Sequence, residues 1–311
     1  MTYRKSDLMI KNLIVFFLSL AILSPIGLVI DLKLTEVKTD PQKYPTHTPT
    51  LVKIDKDQEI VASNFSQESL KLPQESSIKT IKAPQKTVRL PILTYHYVEN
   101  VQNPKDTVRK KLDITPDVFE KQLQTLKNGG YETVFVKEIA DALDHQKNLP
   151  EKSIALTFDD GYSDFYWVVF PLLKEYQMKA TIYVVADFLD QPNYLSTGQV
   201  KELGSSGLVE IASHSLHHFS LSGLKKEVAE NEIFESKKKL EAITGNNVFD
   251  FAYPYGSFNQ EVEDLVKKAG YQTAASVISG VYQGNSNRFF LYRVRPGGRV
   301  DGSLIQWLGS L

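Results

Sequence analysis

The sequence predicts an α/β protein: a distorted (β/α) barrel of about seven to eight strands, preceded by a transmembrane helix and a disordered linker. Three observations carry this. Across residues 89–311 short apolar runs alternate with amphipathic stretches. Residues 31–88 are rich in Lys, Thr, Gln, Ser and Pro with no sustained apolar period. Residues 13–30 run 18 positions without a charge. Of the 311 residues 42% are hydrophobic, enough for a sizeable core, and the net charge of −1 gives no electrostatic case for binding nucleic acid. No nucleotide partner is expected either. With no cysteine, disulfides, thiolate metal sites and a cysteine nucleophile are excluded, so any metal must be held by His, Asp or Glu.

At 1.5 Å per residue the run 13–30 makes about 27 Å of helix, close to the hydrocarbon thickness of a bilayer. Arg4, Lys5 and Lys11 precede it against Asp7 alone, which orients the N-terminus to the cytoplasm and the rest of the chain outside. No small-x-small cleavage site stands near 25–30, favouring an uncleaved signal anchor; a cleaved signal peptide is the alternative, because Pro25 interrupts the run. The expected location is the cell membrane, single-pass, with the catalytic domain extracytoplasmic. The expected divisions are 1–30, cytoplasmic tail and anchor; 31–88, flexible tether with a reach of about 40 Å; and 89–311, the folded domain.

Within that domain 91–96 reads as a strand. Thr115 and Pro116 then supply an N-cap and a first-turn proline for a helix through Phe119, Leu123 and Leu126, closed by Gly129 and Gly130. A short strand at 131–136, a helix through Ile139 and Leu143, and a strand at 154–158 follow. The alternation continues with a helix at 167–176, a strand at 180–185, a helix at 197–205 and a strand at 208–212. Apolar residues spaced through 225–244 predict a long surface helix stopped by Gly245; strands at 249–253, 273–277 and 291–294 and a helix at 260–269 complete the series. Strands separated by helices favour a parallel barrel, whose active site lies at the C-terminal strand ends.

Polar residues fall at those ends. Asp159 and Asp160 follow the strand 154–158 directly, and a turn at Asp160 and Gly161 can swing both carboxylates to one mouth, where like charges need a cation. One would then serve as ligand and the other as base; the plain alternative is an ordinary Asp-Gly turn. His214, His217 and His218 follow another strand, and a His-x-x-x-His pair can converge on one ion, with His217 able to replace His218. Two imidazoles and one carboxylate leave coordination positions open, as a catalytic site requires. His96 closes the first strand and Tyr255 follows a third.

The joint pattern resembles the polysaccharide deacetylases of carbohydrate esterase family 4. Residues 157–160 stand as its TFDD motif, 214–218 as its H-[ST]-x-x-H motif and 253–256 as its third motif. The resemblance implies a divalent ion, Zn²⁺ or a similar one, on Asp160, His214 and His218. It also implies Asp159 as the base and the Tyr255 main-chain N–H at the oxyanion. Ala252 takes the place of the arginine usual before the third motif, and no Leu-Leu-His motif follows near the C-terminus. In the poly-N-acetylglucosamine deacetylase branch, which LTYH at 93–96 resembles, the last barrel strand has moved to the front; His96 then becomes the acid, and Arg293 or Arg295 can approach the base. Tyr253 and Tyr162 are candidates to bind substrate, with Tyr97 and Tyr166 as further aromatics near strand ends. The implied activity is metal-dependent de-N-acetylation of GlcNAc in a cell-envelope glycan: peptidoglycan, poly-GlcNAc or a wall-attached polysaccharide of a Gram-positive surface. The rivals are an O-acetyl carbohydrate esterase, a glycan-binding module without turnover, and an iron oxygenase built on two His and one carboxylate.

Overall fold

A computed structural model describes residues 87–103, 105–144 and 147–311. The expected anchor at 13–30 lies outside them, as does the tether apart from its last two residues. Among the described residues no helix is long and apolar enough to cross a membrane.

The strands that carry the fold are β1 (Thr87–Arg89), β2 (Ile92–Tyr95), β3 (Tyr97–Val98), β4 (Asp113–Ile114), β5 (Glu132–Thr133), β6 (Ser153–Phe158), β7 (Ala180–Val184), β8 (Val209–Ser213), β9 (Asp250–Ala252), β10 (Thr273–Ala275) and β11 (Tyr282–Gly284). The helices are α1 (Thr107–Leu112), α2 (Pro116–Asn128), α3 (Lys137–Leu143), α4 (Phe170–Tyr176), α5 (Thr197–Ser205), α6 (Lys226–Thr244), α7 (Gln260–Lys268) and α8 (Asp301–Ser310). One curled parallel sheet runs β10-β9-β8-β7-β6-β2, with β5 paired to the first two residues of β6.

The expected barrel of seven to eight regular strands needs correction. Residues 291–294 do not form a strand; they cross between the sheet's two edges through single bridges, Leu291 with Ala275 and Val294 with Leu93. The Leu291 N–H donates to Ala274 O at 2.7 Å, and three residues later the Val294 N–H donates to Ile92 O at 2.9 Å. A segment that changes partner so quickly cannot keep a ladder. The strand expected at 131–136 shrinks to β5, because the chain turns into α3 at Lys137. The helix expected at 167–176 starts as a π-turn at Phe165–Val169, with the Phe170 N–H donating to Phe165 O; Pro171, lacking an N–H, follows at once. The antiparallel pair β1/β11, the short pair β3/β4, and the helices α1 and α8 were not expected.

Alternation along each strand assigns the faces. Ile182, Val184, Ile211, Phe251 and Ala274 point outward into the large core beneath the helices. Tyr183 points inward, where Ala212, Ala252 and Ala275 leave room for its ring. At the ends of β2 and β6, Tyr95 and Phe158 point outward and stack at 5.0 Å, with Phe119 edge-on to both at 5.4 and 5.6 Å. Pairs of this kind contribute roughly 0.5–1.5 kcal/mol each beyond their burial. The next residues, His96 and Asp159, are thereby turned to the inner face.

Candidate active site

Asp159 is 4% exposed, and Arg293, equally buried at 4%, grips it with both arms, Nη1 to Oδ1 at 2.7 Å and Nη2 to Oδ2 at 2.9 Å. Arg293 Nε donates to Ser276 O at 2.9 Å, and its guanidinium lies 5.6 Å from the Tyr183 ring centroid. Burial alone would raise the Asp159 carboxyl, but Arg293, with His96 and His214, holds it below the usual carboxylate range. The arginine expected near the base is therefore Arg293; Arg295, two residues on, is exposed. His96 Nε2 lies 3.8 Å from Asp159 Oδ2. Burial lowers the His96 imidazole, Asp159 and Asp160 partly restore it, and Arg295 and Arg293 lower it again.

Asp160 turns away from β6 in the left-handed region, φ 75°, and Gly161 follows at φ 81° with Val184 Cγ1 only 3.3 Å from where a Cβ would stand. A larger residue there would meet both backbone strain and β7. The turn brings Asp160 Oδ1 to 3.4 Å from His214 Nε2 and 3.1 Å from His218 Nε2. His214 Nδ1 lies 2.8 Å from Ala252 O, a carbonyl that can only accept, so Nδ1 carries a proton and Nε2 is the nitrogen turned to Asp160. Burial works against charge on both, yet the histidines hold the Asp160 carboxyl far below its ordinary value and Asp160 lifts His214. Both shifts express one demand, for positive charge between these side chains. Three donors within 4.8 Å of one another, two imidazole nitrogens and a carboxylate oxygen, fit a divalent ion of the zinc type.

His217 does not join them. Its Nδ1 lies 2.6 Å from Glu232 Oε1 and its Nε2 3.0 Å from Asp187 Oδ2, so both ring nitrogens are engaged elsewhere. Tyr255 is 71% exposed, with its ring 4.6 Å from that of His218. It adopts φ 58°, and a Cβ on Gly256 beside it would stand 2.3 Å from Val277 Cγ2. Tyr253 cannot stack on a sugar as expected: it is 1% exposed, its hydroxyl donates to Phe289 O and its ring packs on Phe258. Tyr162 lies between Tyr97, 3.9 Å between centroids, and Tyr194, 5.2 Å, so its ring faces are taken up by those two rings. Burial and Asp160 raise its phenol, which keeps it a proton donor. Sequence reasoning missed Glu232 and Tyr194: one is a single acid in a helix full of charges, the other one of 15 tyrosines.

A family profile described as polysaccharide deacetylase matches residues 146–274. The Bacillus subtilis (strain 168) protein YxkH, whose name assigns it provisionally to the polysaccharide deacetylases, is 32% identical over 219 residues, 70% of this chain and 75% of that protein. The poly-beta-1,6-N-acetyl-D-glucosamine N-deacetylase of Staphylococcus aureus (strain MSSA476) is 27% identical over 200 residues, 60% of this chain and 68% of that one. Among solved structures, the Streptococcus pyogenes deacetylase PplD in complex with acetate superposes with a TM-score of 0.66 at 28% identity, covering 72% of this chain and 99% of that chain.

Proposed function

Because the chain belongs to the polysaccharide deacetylase family and is a hydrolase of amide bonds, we propose that it removes acetyl groups from GlcNAc residues of a cell-envelope polysaccharide with the help of a divalent ion, Zn²⁺. The relatives named for poly-beta-1,6-GlcNAc support a polymer of that kind. Peptidoglycan and wall-attached polysaccharide are the other candidates, and the anchor at 13–30 would hold the domain outside the membrane. One observation carries the reading: an ionised, arginine-clamped carboxylate, an imidazole 3.8 Å from it and a His-Asp-His ligand set lie on one rim of one sheet.

On this reading Asp160, His214 and His218 hold the ion, which when bound supplies Lewis-acid polarisation of the acetamide carbonyl and acidifies water. Asp159, kept charged by Arg293, takes the proton of the attacking water. The carbonyl carbon becomes tetrahedral, and the Tyr255 N–H donates to its oxygen. His96, protonated, delivers a proton to the departing glucosamine nitrogen, so acetate and a free amine leave. Base and acid work in opposite protonation states, giving a bell-shaped dependence on pH.

The test is acetate release from poly-β-1,6-GlcNAc, peptidoglycan and O-acetylated xylan, with and without a chelator. Chelator-sensitive release from a GlcNAc polymer is expected. Release from acetylated xylan alone would identify an esterase, and binding without release from any substrate would identify a glycan-binding module.

A further inference from the structure

The turn between the two histidine ligands is built against its own backbone preferences. Ser215 and His218 both take left-handed conformations, φ 65° and 63°, where a residue with a side chain is strained. Such a turn persists only when its surroundings fix it; the Ala186 N–H donates to Ser215 O at 3.1 Å and the His218 N–H to Ser215 Oγ at 3.0 Å, and the one charged group that holds the turn's main chain is a carboxylate. Glu232 projects from α6 and is 2% exposed. Its Oε2 accepts from the main-chain N–H of Leu216 at 3.1 Å and of His217 at 2.8 Å, while its Oε1 lies 2.6 Å from His217 Nδ1. The His217 ring carries the brace onward to Asp187, whose own N–H donates to Leu216 O at 2.9 Å and whose carboxylate takes Lys239 Nζ at 2.8 Å. One turn further along α6, Ser236 Oγ meets Ser213 Oγ at 2.8 Å, next to His214. The helix thus grips the ligand turn on both sides of its first histidine.

We propose that Glu232 is the positioning residue of the ion site, holding His214 and His218 at Asp160, and that His217 serves as its cross-brace to Asp187. This rests on the reading of Asp160, His214 and His218 as the ligands. A buried carboxylate is costly to keep, and among the described residues it accepts only from the ligand turn, while the two N–H groups it holds have no other acceptor there. Removing it frees the turn to relax toward ordinary backbone angles and draws the two Nε2 atoms away from Asp160.

The test uses the metal-free full chain titrated with Zn²⁺ against a chromophoric chelator, with the absorption of bound Co²⁺ as a second readout of ligand geometry. Glu232→Leu and Glu232→Gln are compared with Leu240→Ala, a cavity in the same helix at a fully buried position remote from the turn. Glu232→Leu is expected to weaken Zn²⁺ binding about 10- to 100-fold and to alter the Co²⁺ spectrum. Glu232→Gln, whose amide oxygen still accepts, is expected to weaken it about 3- to 10-fold, and Leu240→Ala to leave it within about twofold although it lowers the melting temperature. Wild-type affinity in Glu232→Leu, or equal weakening in Leu240→Ala, overturns the proposal. Should Glu232→Leu fail to fold, Glu232→Gln decides alone, wild-type affinity and spectrum again overturning it. A wild-type chain that binds neither ion overturns the ligand reading itself and this proposal with it.

Discussion

Asp159 and Asp160 stand just beyond the C-terminal end of β6, whereas Glu210 and Asp250 stand near the N-terminal ends of β8 and β9. All four are buried, and their surroundings differ. The first pair meets Arg293, His96, His214 and His218, and is held below the usual carboxylate range despite its burial. The second meets Thr181 and Thr273 hydroxyls, with one cation, Lys137 Nζ, 3.9 Å from Glu210 Oε1 and 39% exposed. Burial and mutual repulsion push Asp250 well up, and Glu210 is raised with it. Among the described residues Glu210 Oε1 and Asp250 Oδ2 find no donor, yet the two side chains are in hydrogen-bonding contact; one proton shared between them gives both a partner. Burial by itself therefore does not set a carboxylate's charge. The cations within reach do, and at the rim beyond β6 they are provided by residues distant in sequence.

The largest expected effect comes from making the rim pair resemble the inner pair. Arg293→Met leaves Asp159 buried without its guanidinium; stability should fall by about 3–5 kcal/mol and acetate release by at least about 100-fold, read by denaturant unfolding and by release assays. Next comes the inner pair itself. Its raised pKa means the folded chain keeps a proton that the unfolded chain gives up. Stability from this pair is therefore complete below the ordinary carboxyl value, about 4, and declines as pH rises toward the raised value, by up to about 1.4 kcal/mol per unit. Asp250→Asn supplies the shared hydrogen permanently, since an amide N–H can donate to Glu210 while its oxygen still accepts from Thr273, so unfolding measured at pH 5 and pH 8 should show a flatter slope and a more stable protein at the higher pH. The rim pair has the opposite sign: its contribution is present above the ordinary carboxyl value and is lost as pH falls toward the depressed one. The smallest effect is kinetic. Arg295 lowers His96, so Arg295→Gln should move the alkaline limb of the pH–rate profile upward with little change in maximal turnover.

Much of this was legible in the chain. Apolar runs followed by Asp159, His214 and His96 marked strands and their C-terminal ends, because a buried parallel strand reads as a near-continuous apolar run. The His-x-x-x-His spacing and the Asp-Gly step pointed to an ion site, and the resemblance to the deacetylase motifs singled out Asp160, His214 and His218, whose donor atoms the structure brings within 4.8 Å of one another. Arg293 could be named only with Arg295 as an alternative; which one faces inward depends on how 291–294 crosses the gap between β10 and β2, and alternation does not apply to a segment outside a ladder. Tyr253 misled because proximity to a motif says nothing about which face its ring takes. The proton-sharing pair and Glu232 were invisible for a related reason. Each depends on contacts between elements, β8 with β9 and α6 with the ligand turn, for which an acidic residue in a charged stretch gives no local sign.

The most direct test of the division of labour between neighbouring carboxylates is the zinc content of the Asp159→Asn chain, measured alongside its acetate release from a GlcNAc polymer. With Asp160, His214 and His218 as ligands and Asp159 as the base, the variant should keep a full complement of zinc and lose turnover by about 10²- to 10⁴-fold. Undiminished release, or loss of the ion together with the activity, would contradict that assignment.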